Sequence, residues 1–317
     1  MTRLRALVAL ALAAVAIAGC NGDDDEPVAG GSSPQPGAGG TLKWALPERP
    51  VTLDPLYART HSERLVARQI FEPPVSRLAG PFDDPRRVPG VVRVVRQTKD
   101  PTVWRIVLRR GVRFGDGSPV NAAAVLANAE RWQQVPGRSG LPAPPELFVF
   151  APKPPYEVRF KLAKPDPDFE RKLASPALGL VSPDVLERAD GRPLGQGLLA
   201  GAGSGPFELR ERGEGVTLLA RNAEWWGSGL ALGPEIDQLE FTAVPAEADS
   251  SSMLTEGTVQ VASGLSPLAT RTLAEDPLLA VVSEDEGIVA ERSVRGIPPT
   301  DPVPPLNGVW LTQIRAN

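Results

Sequence analysis

The stretch VWRIVLRRGVRFGDGSPVNAAAVLANAERW, residues 103–132, decides the fold. Every second residue from Trp104 to Leu108 is large and apolar, which predicts a strand with one buried face. Asp116-Gly117 follows and suits a tight turn, because glycine accepts a positive φ. Asn121 is a suitable N-cap for a helix. Four apolar residues of that helix share one face: Val125, Leu126, Ala129 and Trp132.

A strand, a glycine turn and a helix is also the order found in phosphate-binding loops. This stretch lacks the lysine and the hydroxyl residue of the pattern G-x-x-x-x-G-K-[ST]. Pro119 also removes a backbone N–H at a position where a phosphate cradle would need a donor. We therefore predict that the turn at Asp116-Gly117 belongs to the scaffold and binds no phosphate.

Composition narrows the range of functions. The chain has 317 residues, of which 42% are hydrophobic, so it is long enough for one large or two ordinary globular domains. Its net charge of −4 provides no positive field that would attract nucleic acid. One His and one Cys exclude most metal sites and any Cys/His catalytic pair within the chain. We expect no cofactor, no metal and no nucleic-acid partner.

The first twenty residues predict export. Arg3 and Arg5 precede an apolar run at residues 6–19, which is too short to span a bilayer and suits the core of a signal peptide. The run ends in Ile-Ala-Gly before Cys20, the only cysteine, and these four residues resemble the lipobox of bacterial lipoproteins. The resemblance implies that Cys20 carries a lipid that holds the protein at the membrane. The alternative is an ordinary secretory leader with an incidental cysteine.

Residues 21–40 are acidic at first, then rich in Gly, Ser and Pro, and predict a flexible tether. Beyond it, periodic patterns predict further elements of a folded body. The first is a strand with Leu42, Trp44 and Leu46 on one face, and a helix over 60–74 capped by Thr60 or Ser62 follows it. Further strands are predicted at 91–95, 158–162 and 236–241, and a second helix over 248–256. A hairpin is predicted with Phe207 and Leu209 on one arm and Val216, Leu218 and Ala220 on the other.

Four parts of this body match one family in the order that the family has them. They are GGTLKWALPERPVTLDP (39–55), VWRIVLRRGVRFGDGSPVNAAAV (103–125), GSGPFELRE with LARNAEWWG (203–211 and 219–227), and MLTEGTVQVA (253–262). Together they resemble the family 5 extracellular solute-binding proteins, the peptide, oligopeptide and nickel receptors of ABC importers. The resemblance implies an α/β fold of the type II periplasmic-binding-protein-like class, in which two lobes close around a solute.

The length departs from the family pattern. Family members continue with a complete second lobe after the element that corresponds to Val261-Ala262, whereas only residues 263–317 remain here. We therefore expect residues 41–262 to form a mostly complete first lobe, with the second lobe truncated or absent. Residues 263–317 are predicted to be a remnant of the second lobe and the closing C-terminal strands. The shortening is either an internal loss or a C-terminal one.

The resemblance also implies where a ligand would bind. The Leu-Asp-Pro loop before the first helix and the Gly-Pro turn near residue 205 face the cleft in the family. The candidate ligand-binding residues are accordingly Tyr57, Thr60, His61, Ser62, Gly205 and Pro206, of which the first four are expected to be exposed. Glu63 is predicted to be a first-turn helix charge without a ligand, and Trp225-Trp226 to be core.

The implied function is that of a lipid-anchored, extracytoplasmic solute-binding protein for peptides or similar small solutes. Its partners would be an ABC permease and ATPase, and the loss of the second lobe would impair its binding. Two alternatives stay open. One is a surface lipoprotein that acts through protein contacts without a ligand. The other is an exported hydrolase, although neither G-x-S-x-G nor S-x-x-K occurs in the chain.

Overall fold

The structure is a computed structural model that describes residues 39–75, 90–135, 137–230, 234–283 and 288–291. Three predictions fall outside these residues: the leader with Cys20, the tether up to residue 38, and the strands after residue 291. Within the described parts of the chain, no helix is both long and apolar enough to cross a lipid bilayer.

Strands and helices follow one another in an α/β order. The helices are α1 (His61–Ile70), α2 (Ala122–Gln134), α3 (Phe169–Lys172), α4 (Pro183–Ala189), α5 (Glu247–Thr255) and α6 (Pro267–Leu273). The strands are β1 (Thr41–Leu46), β2 (Val92–Gln97), β3 (Val103–Leu108), β4 (Leu147–Lys153), β5 (Glu157–Leu162), β6 (Phe207–Arg212), β7 (Val216–Arg221), β8 (Gln238–Ala243), β9 (Val261–Ala262), β10 (Leu279–Ser283) and β11 (Ile288–Glu291). Short 3-10 turns lie at Pro176–Leu178, Gln196–Leu198 and Trp226–Leu230.

The larger sheet has the strand order β10-β11-β9-β1-β8-β7-β6. β1 lies in the middle and runs parallel to β8 and β9, while the outer strands add antiparallel pairs on both sides. The predicted alternation of β1 is confirmed, because Trp44 is buried in a cluster that includes residues of α1 and α4. Ala45, on the opposite face, lies in a cluster with residues of α5 and α6. Helices therefore cover both faces of β1, as parallel strands require.

The smaller sheet is antiparallel, with the order β2-β3-β5-β4, and α2 packs on one of its faces. Trp104 and Ile106 of β3, Phe160 of β5 and Trp132 of α2 are buried in one cluster, which confirms the predicted faces of β3 and α2. The sequence did not predict β4. Of its seven residues only Leu147 is fully buried, so the apolar alternation that marks a strand is weak.

Both long helices start at predicted caps. The Thr60 hydroxyl accepts a hydrogen bond from the Glu63 amide at 3.2 Å, and the Glu63 carboxylate accepts one from the Thr60 amide at 3.1 Å. This reciprocal pair is a capping box, so Thr60 and not Ser62 caps α1. Asn121 caps α2 by accepting a hydrogen bond from the Ala124 amide at 3.0 Å.

The turn at residues 115–118 is part of the scaffold, as predicted. Gly117 has a φ of 86°, which explains the need for glycine there. The Gly115 amide donates to the Gly203 carbonyl at 2.9 Å, and the Asp116 carboxylate accepts a hydrogen bond from the Ser182 hydroxyl. The turn after β3 thus fastens the smaller sheet to the segment that leads into β6 of the larger one.

The predicted face of β6 is confirmed, because Phe207 is buried and Leu209 packs against the same cluster, whereas β7 buries a different face from the predicted one. Val216 is 41% exposed, and Leu218 and Ala220 are only partly buried. Thr217 and Leu219 face the core instead. Because side chains alternate along a strand, a shift of one residue exchanges the two faces, and the run of apolar residues here left the phase undefined.

Residues beyond the predicted boundary at 262 continue the larger sheet. β11 pairs with β9 in an antiparallel manner, and β10 pairs with β11. Leu273 and Val289 are buried in the same cluster as Ala262. The division of the chain at residue 262 stays a prediction, and the described residues after it pack on the same sheet as β1.

The close approach at Gly203 generates a stability prediction. A Cβ at this position would overlap the carbonyl oxygen of Ile70, at the end of α1. We expect Gly203→Ala to lower the free energy of unfolding by about 3 kcal/mol, since backbone must move to relieve the overlap. Gly213→Ala is the control, because a Cβ at Gly213 meets no atom within 4 Å. Urea unfolding measures the free energy of unfolding of both variants, and equal values would contradict the close packing at Gly203.

Candidate functional site

The candidate site lies where the parallel strands end. β1, β8 and β9 run in the same direction, so the segments that follow them meet at one edge of the larger sheet. We call this the carboxyl edge, formed by residues 47–60, 244–246 and 263–266. The Val244 amide donates to the Leu46 carbonyl at 2.7 Å, which brings two of the segments together. In open α/β sheets, ligands bind outside the carboxyl ends of the strands.

The Glu63 carboxylate organises the loop after β1. It accepts four backbone hydrogen bonds at 2.7–3.2 Å, from the amides of Val51, Thr52, Arg59 and Thr60. Burial by itself raises the pKa of Glu63, but the bonds from these amides outweigh it, so the pKa is lowered. The Arg212 guanidinium holds the loop from the other side, by donating to the carbonyl oxygens of Pro50 and Val51. Glu63 is therefore an anchor of the loop.

Asp54 ties the same loop to distant parts of the chain. Its carboxylate is fully buried and pairs with the Arg131 guanidinium of α2. It also accepts hydrogen bonds from the Leu194 amide at 2.8 Å and the Leu56 amide at 3.1 Å. A buried ion pair is tolerated when further hydrogen bonds satisfy its remaining lone pairs, as they do here.

The structure brings the four residues at the start of α1 together but does not expose them all. Tyr57 is partly exposed, and the Arg138 guanidinium lies 4.6 Å from the centre of its ring. The Thr60 hydroxyl is used as the helix cap. His61 is partly exposed, and burial, then Arg64 and Arg68, lower its pKa to about 4, so it is neutral at pH 7. Ser62 is fully buried, so the expectation that it is exposed is wrong.

Gly205 and Pro206 lie at the opposite end of the larger sheet from the carboxyl edge, because the strand registers put the start of β6 level with the start of β1. Both are buried, and the Gly205 amide donates to the Ile70 carbonyl at 2.8 Å. A Cβ at Gly205 would lie 2.6 Å from the same oxygen, so close packing on the end of α1 explains the glycine. This packing could not be predicted from the sequence, because Ile70 is distant in the chain. Contact of this turn with a ligand stays a prediction.

A buried acid that sequence reasoning missed lies next to this packing. Glu72 is fully buried, and the Trp226 indole N–H donates to its two carboxylate oxygens at 2.9 and 3.0 Å. Burial raises the pKa of Glu72 to about 8, although Trp226 and Ser204 act in the opposite direction. Trp225 and Trp226 are core residues, as predicted, at 3% and 4% exposure. Only the tertiary fold reveals Glu72, because nothing in its local sequence marks it as buried.

The described residues contain a groove but no metal-binding cluster. A groove of about 270 Å³ lies between α2 and α4, and its lining mixes acidic and basic side chains, including the Arg131 that pairs with Asp54, with Ala127, Pro183 and Leu186. Within the described parts of the chain, no group of three or more His, Cys, Asp or Glu side chains could hold a metal ion.

The chain belongs to a known family. A family model described as "Bacterial extracellular solute-binding proteins, family 5 Middle" matches residues 87–293. Among curated relatives, the glutathione-binding protein GsiB of Salmonella choleraesuis (strain SC-B67) is 29% identical over 217 residues, which is 67% of this chain and 40% of that protein. The probable D,D-dipeptide-binding periplasmic protein DdpA of Escherichia coli (strain K12) is 29% identical over 199 residues, or 62% and 36% of the two chains.

Solved structures show the same fold. The binding protein AgaA of A. tumefaciens R10, in complex with agropinic acid, superposes with a TM-score of 0.64 at 22% identity over 76% of this chain and 47% of its own. DppA of Helicobacter pylori, in complex with the peptide STSA, gives 0.61 at 20% identity over 77% and 50%. The predicted family and the periplasmic-binding-protein-like α/β fold are confirmed. The chain spans about half the length of these structures, which is consistent with the predicted truncation of the second lobe.

The raised pKa of Glu72 generates a pH prediction. The folded protein keeps this proton up to about pH 8, whereas an ordinary carboxyl releases it near 4.5. The stability that Glu72 contributes is therefore complete below pH 4.5 and is lost as the pH rises towards 8. Glutamine cannot ionise, so Glu72→Gln should gain in melting temperature relative to the wild type across this interval.

Differential scanning calorimetry at several pH values measures the difference. The control is Glu224→Gln, an exposed residue close to Trp226 in sequence, which should follow the wild-type profile. A constant difference between Glu72→Gln and the wild type from pH 4.5 to 8 would show that Glu72 is charged throughout.

Proposed function

We propose that this chain supplies one wall of a solute-binding cleft and serves as a lipid-anchored, extracytoplasmic binding protein of an ABC importer. The observation that carries the proposal is the carboxyl edge, a backbone loop held by Glu63, Asp54 and Arg212 in a member of the family 5 solute-binding proteins. A loop already fixed before binding loses little conformational entropy when a ligand arrives. The edge is therefore suited to receive a small solute.

The side chains of this edge suit a peptide-like solute. Tyr57 offers an aromatic surface, and Thr60 and the neutral His61 offer groups that can form hydrogen bonds. The names of the relatives indicate solutes of this class, since GsiB is a glutathione-binding protein and DdpA a probable D,D-dipeptide-binding protein. Peptides and similar small solutes are accordingly the proposed ligands, and an ABC permease and ATPase are the proposed partners.

Binding by this chain alone should be weak. Closure of two lobes buries a ligand between two walls and favours the closed state through contacts on both sides. The described residues form one such wall, so a solute at the carboxyl edge keeps part of its surface in water. The lipobox ending in Cys20 would hold this wall at the outer face of the membrane.

A second function is that of a surface lipoprotein that acts through protein contacts without a ligand. It is favoured by the candidate residues themselves, because Ser62 is fully buried and the Thr60 hydroxyl is used as a helix cap. An exported hydrolase has less support, because the matched relatives have the names of binding proteins and the only histidine, His61, lies next to a helix cap.

A thermal-shift titration with dipeptides, tripeptides and glutathione tests the proposal. A solute at ten times its Kd should stabilise the full-length chain by about 1.4 kcal/mol, which corresponds to a rise in Tm of roughly 3–6 °C. Tyr57→Ala should abolish the rise because it removes the aromatic surface of the carboxyl edge.

The matched control is Tyr156→Ala, which removes the other tyrosine of the chain. Tyr156 is also partly buried beside an arginine, with Arg110 at 5.5 Å from its ring centre, but it lies on the smaller sheet. This variant should keep the solute response. If none of these solutes raises the Tm of the wild type, the proposal that the carboxyl edge binds peptide-like solutes is wrong.

A further inference from the structure

The smaller sheet has a second face, opposite the one on which α2 packs. Side chains alternate along each strand, so the residues between the buried positions of β3 and β5 all point to this side. We call it the outer face. Its most prominent side chains are Arg96, Arg105, Phe148, Phe150, Arg159 and Lys161.

The strand register places three arginines in one row. Arg159 of β5 lies directly opposite Arg105 of β3, and Arg105 lies opposite Arg96 of β2. Neighbouring strands are about 4.8 Å apart, so the row is short and dense. Like charges in directly opposite positions destabilise a sheet. The row therefore needs negative charge from elsewhere.

One carboxylate within the face supplies part of this charge. Glu157 accepts a hydrogen bond from Arg105 at 3.0 Å, within an ion pair whose charged atoms are 2.9 Å apart, and hydrogen bonds from Arg159 at 3.1 Å. It thereby ties both guanidinium groups to the sheet, with side chains 28% and 34% exposed. Asp100, in the turn after β2, adds a second negative charge near Lys161. Lys153, opposite Glu157, adds a further positive charge, so cations outnumber acids on the outer face.

An apolar contact surface adjoins the row. Phe148 is 62% exposed and stacks on Phe150, with ring centres 5.6 Å apart and an angle of 23° between the rings. Phe150 lies opposite Arg159 in the register, so the aromatic pair continues the arginine row to β4, the edge strand of the sheet. Aromatic residues and arginine are the residue types enriched in protein interfaces.

We propose that the outer face is a docking surface for an acidic segment of a partner protein, with an apolar side chain of that segment seated on Phe148. Charge complementarity selects an acidic partner, because this basic face belongs to a chain with a net charge of −4. Glu157 ties Arg105 and Arg159 to the sheet, and the adjoining aromatic pair adds an apolar contact area, so the face suits a polypeptide better than a lipid surface. This inference is independent of the proposed solute site.

Fluorescence anisotropy of a fluorescein-labelled oligoglutamate peptide with one leucine, titrated with the full-length chain, tests the proposal. Arg96→Glu with Lys161→Glu reverses two exposed charges and leaves the hydrogen bonds to Glu157 in place. We expect this double variant to weaken binding about tenfold or more, and Phe148→Ser about threefold. Added salt should weaken binding to the wild type.

The matched control is Arg188→Glu with Arg271→Glu, which changes the net charge by the same amount at exposed positions of α4 and α6. It should bind like the wild type. Equal weakening in both double variants would mean non-specific attraction and would overturn the proposal. The proposal would also be overturned if the wild-type chain did not bind the peptide but bound anionic phosphatidylglycerol vesicles or single-stranded DNA through Arg96 and Lys161.

Discussion

The buried carboxylate of Asp54 is the constraint on which the rest of the structure depends. The chain leaves the larger sheet after β1, builds the smaller sheet and returns to the larger one at β6. Asp54 lies at this passage and binds Arg131 of α2 and the amide of Leu194. Glu72 and Trp226 form a second buried polar contact at the same passage. Because unpaired buried polar groups are costly, both sheets must be in place for either contact to form.

The contacts at this passage also hold the candidate site rigid. The loop at the carboxyl edge follows β1 directly, and its backbone donors and acceptors are bound by Glu63 and Arg212 while Asp54 fixes its end. Of the candidate side chains at this edge, Tyr57 is partly exposed, whereas Ser62 is fully buried and the Thr60 hydroxyl is used as a helix cap. The same order leaves the outer face of the smaller sheet without a described helix, so its arginine row and the exposed Phe148 are available for contact.

Local interactions could be predicted from the sequence, and distant ones could not. The caps at Thr60 and Asn121 and the positive φ at Gly117 depend on residues close in the chain, and all three are as expected. The family motifs also predicted the periplasmic-binding-protein-like fold. By contrast, the Asp54 carboxylate has its charge partner 77 positions away, and the burial of Ser62 depends on the packing of whole elements. The sequence motifs therefore indicated where the site lies, whereas only the structure shows which of its side chains are exposed.

The contacts at the passage between the two sheets should make the sheets one cooperative unit with a rigid carboxyl edge. Native-state hydrogen exchange under increasing denaturant tests this directly, by comparing the amides of Trp44 in β1 and Phe160 in β5, both fully buried. We predict that these amides share one free energy of opening and one dependence on denaturant. Opening of β5 at a clearly lower free energy, with β1 still protected, would contradict the claim.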